Sequence, residues 1–504
     1  MLPRLAWLAS LLSIASISAA RAYDDDQGFQ IGRASLYEHP HVNDNSEFYG
    51  QASGKLRRRD CQPLLPTTPK WVFAHFVVSN AANYTVQDWQ NDMTLAFNTG
   101  IDGFALRIGT NPSTIGQVNM AYVAANATGL NFKLYVVFDM EQFVTADEML
   151  PYITTYGLHP NQFIYGAKVF ASTIGGENIT TLGEATPAQG WQTDFKLASA
   201  KSGYPIYFVP AFPTLDIASF FTAEPAADGV SNLDAWPVGP AASMDLSNAT
   251  DIEYLASATE AGKTYMLPIS PSFFSHSIYQ NRVYRTDDWE YSSRWEQAIA
   301  LGPDFVQILT WNDYERSDYI GPISTTRPEP AFVPGYPHTA FLLLSQFYIA
   351  RYKQGGFPVI TTDALVFWYR TSSKNAVAPL DTIGRPKGYQ NVDDMIYVEV
   401  ICVSPGELTI SSGDATSTTP VIAGINKLKM AFREGKVQVV LTRNGGVVLN
   451  SSGTGPLINN TIAAYNFNPY AEQVIAGTVA VAATSAVGSA TSSMTAATPA
   501  SSGV

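Results

Sequence analysis

The sequence has only two cysteines, Cys61 and Cys402, among its 504 residues. A disulfide-dense scaffold is therefore excluded, and a chain of this length can instead bury a large hydrophobic core. The two thiols can pair with each other, and a buried thiol pair is an equally good interpretation, because the sequence does not reveal their separation. The pairing stays open.

Positive charge is also scarce, since 30 Lys and Arg face 43 Asp and Glu and give a net charge of -13. This balance argues against nucleic acid or an anionic membrane surface as a partner. Only six histidines are present, with no paired spacing, so we predict neither a metal site nor a cofactor. Aromatic residues make up 12% of the chain, which suits a neutral polysaccharide, although most of the rings are expected in the core.

The first part of the chain has the features of a secretory leader. Arg4 precedes the apolar run Leu5 to Ile17, which is too short to span a membrane, and small residues follow. We predict a signal peptide over 1–22 and a propeptide over 23–59, because consecutive arginines end at Arg59. A merely solvated basic run is the alternative to processing at that point.

Several N-x-[ST] sequons support secretion of a glycosylated protein to the extracellular space or the cell wall. A sequon is a weak signal by itself, but one that follows a signal peptide gains weight. The sequons lie at Asn83, Asn126, Asn178, Asn248, Asn450 and Asn459.

Eight apolar runs alternate with stretches of helical periodicity, such as Thr85 to Thr99. This pattern predicts an α/β fold in which a (β/α)8 TIM-like barrel occupies 68–355, since such barrels usually need about 250 residues. A helix over Thr339 to Tyr352 would close it. The predicted strands are Trp71 to Val78, Gly103 to Ile108, Phe132 to Phe138, Phe163 to Ala171, Tyr204 to Phe212, Gly229 to Trp236, Thr264 to Ile269 and Asp304 to Trp311.

The composition changes after the barrel. Lys436 to Leu441, the Asn444-Gly445 turn and Val447 to Leu449 predict a β-hairpin. We predict a C-terminal antiparallel β-sandwich over 356–473, followed by a disordered Ala/Ser/Thr-rich tail over 474–504.

In a barrel enzyme, the functional side chains lie at the carboxyl ends of the strands. A lone carboxylate there is more often a helix cap or an ion-pair partner, and a lone histidine is more often a satisfied core residue. The candidates at the strand ends are His75, Arg107, Asp139, Glu141, Ser172, Glu177, Asp216, Trp236, Ser270 and Asp313.

The last predicted strand ends in a dense polar cluster, Trp311-Asn312-Asp313-Tyr314-Glu315. Cleavage of a glycosidic bond needs one acid on the leaving oxygen and a second carboxylate, and Asp313 with Glu315 supplies both locally. Asp139 is a further candidate from across the barrel. The carboxylate separation, about 5 to 5.5 Å for retention and about 6.5 to 9.5 Å for inversion, decides the stereochemistry.

Several collinear motifs resemble glycoside hydrolase family 71. The resemblance covers roughly Lys70 to Arg370 in the right order. The matching runs are Phe73-Ala74-His75-Phe76, Gly100 to Leu106, Ser172-Thr173 with Gly176-Glu177, Phe208-Val209-Pro210, Thr310 to Asp313, Gly335 to Thr339, and Tyr352-Lys353 with Gly355 and Pro358.

The resemblance implies a secreted fungal α-1,3-glucanase, or mutanase, with a barrel, a β-sandwich and an inverting mechanism. The implied partner is α-1,3-glucan, and we expect a monomer. In this interpretation Trp311, Trp236 and Tyr314 stack on glucose rings and His75 hydrogen-bonds a hydroxyl. Asn312 and Glu177 complete the predicted substrate-binding set.

The sequence departs from the family's pattern, W-N-D, an aromatic, then G-E-S-H-Y. The catalytic Glu position holds Arg316, the Gly position Glu315 and the His position Asp318, while Asp313 is retained. Arg107 stands where Asn is usual, and Ser272 stands where Trp is usual. An arginine cannot serve as the proton donor near neutral pH.

Two hypotheses follow from these departures. The first is an α-1,3-glucan hydrolase that uses Asp313 and Glu315, with help from Asp139. The second is an impaired family member that binds cell-wall glucan without efficient hydrolysis.

Overall fold

The structure is a computed structural model that describes residues 69–239, 242–356 and 358–477. The predicted signal peptide, propeptide and tail lie outside the described residues, apart from the few positions up to 477. Cys61 lies outside them as well, so the choice between a disulfide with the buried Cys402 and two free thiols stays open.

A curled parallel sheet forms the first part of the fold. Its strand order is β6-β5-β3-β2-β1-β11-β8-β7, so neighbours in the sheet follow one another along the chain and the last strand pairs with the first. Most of its strand residues are buried, because the sheet has helices on its outer side and side chains inside the curl. The strands are β1 Trp71–Val77, β2 Gly103–Ile108, β3 Lys133–Asp139, β5 Lys168–Ile174, β6 Ile206–Phe208, β7 Gly229–Ser231, β8 Thr264–Ile269 and β11 Phe305–Ile308.

The two edge strands, β6 and β7, are not paired along their length. Single backbone hydrogen bonds connect the residues next to them. Backbone hydrogen bonds join Asp228 N to Phe208 O at 2.7 Å and Ser231 N to Pro210 O at 2.9 Å. The mixed α/β architecture with a curled parallel sheet is therefore as expected, while complete closure into a barrel stays a prediction.

Several of the predicted strands were wrong in extent. Those predicted over Tyr204 to Phe212 and Asp304 to Trp311 are shorter, at Ile206–Phe208 and Phe305–Ile308. The run from Phe163 to Ala171 is a hairpin of β4 Ile164–Tyr165 with β5, because the chain reverses at Gly166 and Ala167, both with positive φ. The strand predicted to reach Trp236 ends at Ser231. The apolar residues beyond that point pack as a loop, which hydrophobicity alone does not distinguish from a strand.

Helices form most of the connections between the strands of the parallel sheet. The predicted helix from Thr85 is confirmed as α1, which Thr85 caps through a reciprocal hydrogen-bond pair with Asp88. The helices are α1 Val86–Thr99, α2 Pro112–Thr128, α3 Ala146–Tyr156, α4 Pro187–Gly190, a π-helical turn Trp191–Leu197, α5 Ala198–Lys201, α6 Phe220–Ala223, α7 Ala249–Ala261, α8 Glu290–Leu301 and α9 Ala340–Gln354. None of the described helices is long and apolar enough to cross a membrane.

The second part of the fold consists of two four-stranded antiparallel sheets, ordered β16-β13-β12-β19 and β15-β14-β17-β18. Alternate residues of both sheets meet in one apolar cluster, as in a sandwich. The predicted hairpin is confirmed by β17, the Asn444-Gly445 turn and β18. The strands are β12 Ala364–Tyr369, β13 Met395–Cys402, β14 Gly406–Ser412, β15 Ala415–Val421, β16 Gly424–Ala431, β17 Val437–Arg443, β18 Gly446–Asn450 and β19 Tyr470–Ile475.

A small hairpin follows the carboxyl end of β8. It consists of β9 Phe274–His276 and β10 Asn281–Val283, which pair antiparallel. Its base packs into an apolar cluster with Tyr314, Tyr319 and Phe332. The hairpin thus lies at the end of the curled sheet where the parallel strands finish, here called the carboxyl-end face.

Candidate active site

The segment after β11 is held in a fixed turn by one hydroxyl group. Thr310 Oγ accepts a hydrogen bond from the backbone N of Asp313 at 2.8 Å and donates one to Asp318 Oδ1 at 2.9 Å. The chain returns through Ser317, which has a positive φ of 54°. Asp313 and Asp318 are thereby brought side by side at the carboxyl-end face.

An arginine occupies the position beside Asp313. Arg316 Nε and Nη2 lie 2.8 Å and 2.7 Å from Asp313 Oδ2. The Arg316 side chain is 36% exposed and that of Asp313 only 7%, so the guanidinium is the more accessible partner of the pair. The charge of Asp313 raises the pKa of Arg316 above its usual value, and the arginine stays a cation.

Asp318 is buried in the same turn. Burial raises the pKa of its carboxyl well above the usual range, and the charge of Asp313 acts in the same direction. The raised pKa favours the protonated form of Asp318, while Arg316 is in contact with Asp313.

Glu315 does not join this group. Its side chain is 50% exposed and its Oε1 lies 2.7 Å from Arg327 Nη2, while Asn80 donates to Oε2 at 3.4 Å. Because Glu315 is held outward by Arg327, its predicted role as the partner acid of Asp313 is not supported by this geometry. The tight turn Tyr314–Arg316 points successive side chains in different directions.

Asp139 reaches the carboxyl-end face at the end of β3. Its Oδ2 lies 2.9 Å from Arg107 Nη2 and accepts from Gln142 Nε2 at 3.0 Å, while its Oδ1 accepts from the backbone N of Glu141 at 3.2 Å. The carboxylate is buried, and these three donors fix its orientation.

His75 is buried on β1, within electrostatic reach of both Arg107 and Arg316. Burial lowers the pKa of its imidazole well below the usual value, and the charges of Arg107 and Arg316 lower it further. The imidazole is therefore neutral. Gln307 Nε2 lies 3.4 Å from its Nδ1, so the ring is oriented from within the sheet.

Three predicted ligand-binding residues have structural roles instead. Trp311 and Tyr314 are both 0% exposed, so neither ring has a face for a glucose unit. The Asn312 amide accepts from Val77 N at 2.8 Å and donates to Val77 O at 3.1 Å, which ties the turn to β1. Trp311 is buried in the main core and Tyr314 in the cluster with Phe274 and Tyr319, so the predicted substrate contact of these residues finds no support in their positions.

Two other predicted substrate-binding residues, Trp236 and Glu177, are less deeply buried. Trp236 is half-buried in the loop after β7 and donates through Nε1 to Ser272 O at 3.1 Å. Ser272 Oγ donates to Ser317 O, so Trp236 is linked to the turn that carries Asp313. Glu177 accepts from Thr214 N and Oγ at 3.0 Å and 2.7 Å.

The sequence reasoning missed the contributions of Thr310, Asn80 and Arg327. Thr310 precedes the recognised cluster, and a threonine at a strand end is a usable signal for a capped turn. Asn80 is distant from Glu315 in the sequence, and Arg327 lies in a later loop. No local sequence pattern therefore identifies either of them as a neighbour of Glu315. Among the described residues no group of three or more His, Cys, Asp or Glu side chains could hold a metal ion.

Comparison with known proteins identifies the class as the glycosyl hydrolases. The family model described as glycosyl hydrolase family 71 matches residues 68–484. The chain belongs to glycosyl hydrolase family 71, and it is a glycosyl hydrolase by that membership.

Three curated relatives agree with this assignment. The glucan endo-1,3-alpha-glucosidase agn1 of Schizosaccharomyces pombe is 36% identical over 411 residues, covering 81% of this chain and 95% of that protein. The ascus wall endo-1,3-alpha-glucanase of the same yeast is 33% identical over 421 residues, covering 79% and 96%. A mutanase of Penicillium rubens is 33% identical over 414 residues, covering 80% and 88%.

Proposed function

We propose that the protein hydrolyses α-1,3-glucan, with Asp313 and Asp139 as its pair of carboxylates. The observation that carries the proposal is that both are buried at the carboxyl-end face of a curled parallel sheet, in a chain similar over most of its length to α-1,3-glucanases. We propose further that this sheet closes as a (β/α)8 barrel over 68–355, with the sandwich following it.

The mechanism we propose is the inverting one that the family resemblance implies, for which the two carboxyl groups must lie about 6.5 to 9.5 Å apart. In the sheet β3 and β11 are three strand spacings apart, roughly 14 Å along the sheet, and the curl shortens the direct path between their ends. One carboxyl group would protonate the leaving glycosidic oxygen. The other would take a proton from the water that attacks the anomeric carbon, so the bond is broken by net addition of water.

The predicted signal peptide and the sequons support action outside the cell, on wall glucan. A monomer is our expectation for such an enzyme. The test is release of reducing sugar from insoluble α-1,3-glucan by the purified mature chain. We expect release that Asp313→Asn abolishes. No release from a folded wild-type protein would reject the hydrolase.

A second candidate function is binding of α-1,3-glucan with little turnover. It is favoured by one specific observation, the contact of Arg316 with Asp313 through two nitrogen atoms. Such a pair neutralises the carboxylate and places a group that cannot donate a proton near neutral pH where the family's pattern has Glu. Retained pull-down on insoluble glucan without sugar release would support this function.

A further inference from the structure

The tip of the β9–β10 hairpin exposes two large apolar side chains. Ile278 is 82% exposed and Tyr279 is 69% exposed. Scattered exposed apolar residues are ordinary, but two adjacent ones at the end of a rigid projection are not easily explained by the core.

The turn between the strands is well ordered. Ser277 N donates to Gln280 O at 2.9 Å, and Ser277 Oγ accepts from Tyr279 N at 3.2 Å and from Gln280 N at 3.1 Å. The tip side chains are thus held outward by a hydrogen-bonded turn.

The hairpin is also clamped along its sides. His276 Nδ1 lies 2.9 Å from Asn281 Oδ1, and its Nε2 lies 2.8 Å from Asp381 Oδ2. Asn281 Nδ2 donates to Gly384 O at 3.0 Å. A ring presented on such a support loses little conformational entropy when a ligand binds.

The hairpin is continuous with the candidate active site. It leaves the carboxyl end of β8, and Phe274 at its base packs in the cluster that contains Tyr314. Five residues separate Phe274 from Tyr279, so the tip lies at most about 17 Å from that cluster.

We propose that Ile278 and Tyr279 form a remote glucan-binding platform, which holds the polymer beyond the site where a bond is cut or a chain is bound. Tyrosine suits a pyranose ring, because its apolar face packs on the sugar's C–H face while its hydroxyl group stays in water. The platform is uncharged, as a neutral glucan requires. This inference rests on the proposed action on α-1,3-glucan.

The experiment compares binding isotherms on insoluble α-1,3-glucan for the mature wild type and for the double variant Ile278→Ser with Tyr279→Ala. We expect about tenfold weaker binding, and a raised apparent KM for the polymer if the wild type hydrolyses it. Tyr279→Trp should retain binding, since it keeps an aromatic face.

The matched control is Leu158→Ser, because Leu158 is 83% exposed but lies before β4, away from the carboxyl-end face. Its isotherm should equal that of the wild type. All of the substituted side chains are exposed, so each variant should keep the wild-type melting temperature.

An unchanged isotherm for the double variant, alongside a wild type that binds glucan, overturns the platform and leaves the proposed function standing. A wild type that neither binds nor cleaves α-1,3-glucan overturns both. Co-sedimentation of the wild type with phosphatidylcholine vesicles, lost in the double variant while glucan binding is unchanged, would assign the tip to a lipid surface instead.

Discussion

Arg316 contacts the Asp313 carboxylate with both Nε and Nη2, and both contacts fall on the same oxygen, Oδ2. Oδ1 is thereby the less restrained acceptor of the carboxylate. Asp318 is buried in the same turn, and burial raises its pKa well above the usual range. The contact leaves the Asp313 carboxylate compensated by a cation at the position where the family's pattern has Glu.

Replacing Glu315-Arg316 by Gly-Glu should raise reducing-sugar release from α-1,3-glucan at least tenfold if the pair disables the enzyme. Tenfold in rate corresponds to about 1.4 kcal/mol of transition-state stabilisation, which one positioned acid readily supplies. The control is the same change combined with Asp313→Asn, which should show no gain. A wild type that already hydrolyses glucan and gains nothing from the replacement would reject the impaired-enzyme hypothesis.

Asp139→Asn should lower the rate by roughly 10²-fold or more, because a buried carboxylate with three donors would lose its acid or base function. Glu315→Gln should change the rate by less than about threefold, since Glu315 is half-exposed and paired with Arg327. Initial rates of both variants on the same glucan preparation decide between the two candidates. The reverse order of effects would restore Glu315 as the partner acid.

Trp311→Ala should destabilise the protein by about 3 to 5 kcal/mol, because the ring is fully buried against Phe104, with centroids 5.1 Å apart. Urea unfolding followed by circular dichroism measures this change. Trp236→Ala is the matched control and should cost less, since that ring is half-buried. A stable Trp311→Ala protein with weakened glucan binding would return Trp311 to the ligand surface.

The protein should be more stable at pH 5 than at pH 8. Burial raises the pKa of four carboxyl groups to about 7, namely Asp92, Glu224, Glu290 and Glu329. A carboxyl with a raised folded-state pKa binds its proton more tightly when folded. Its stabilising contribution is therefore complete below its unfolded pKa and is lost as the pH rises through 7. We expect a melting temperature lower by roughly 5 °C or more at pH 8.

The substitution Glu329→Gln should reduce the difference in melting temperature between pH 5 and pH 8. The Glu329 side chain is 2% exposed, and neither of its oxygens has a hydrogen-bond partner among the described residues, although Arg327 lies 3.8 Å away. The variant's melting temperature should match that of the wild type at pH 5 and exceed it at pH 8. An identical pH profile for the two proteins would show that Glu329 does not titrate in this range.

Local features of the sequence were sufficient to predict much of the fold. The cap at Thr85, the Asn444-Gly445 turn and the alternation of apolar runs act over a few residues, so the helix, the hairpin and the strands around them follow from their immediate neighbours. The sequence also placed Asp313 and Asp139 at strand ends, since the carboxyl ends of parallel strands share one face.

Only the tertiary structure decided what those strand ends expose. A tryptophan or tyrosine in a polar cluster has the same sequence signal whether it faces a ligand or the core, and here Trp311 and Tyr314 face the core. The orientation of Glu315 depends on Arg327, which comes from a later loop. The lowered pKa of His75 depends first on its burial and then on the charges of Arg107 and Arg316, which come from other elements. Such contacts join residues distant in sequence, so the fold must form before they exist.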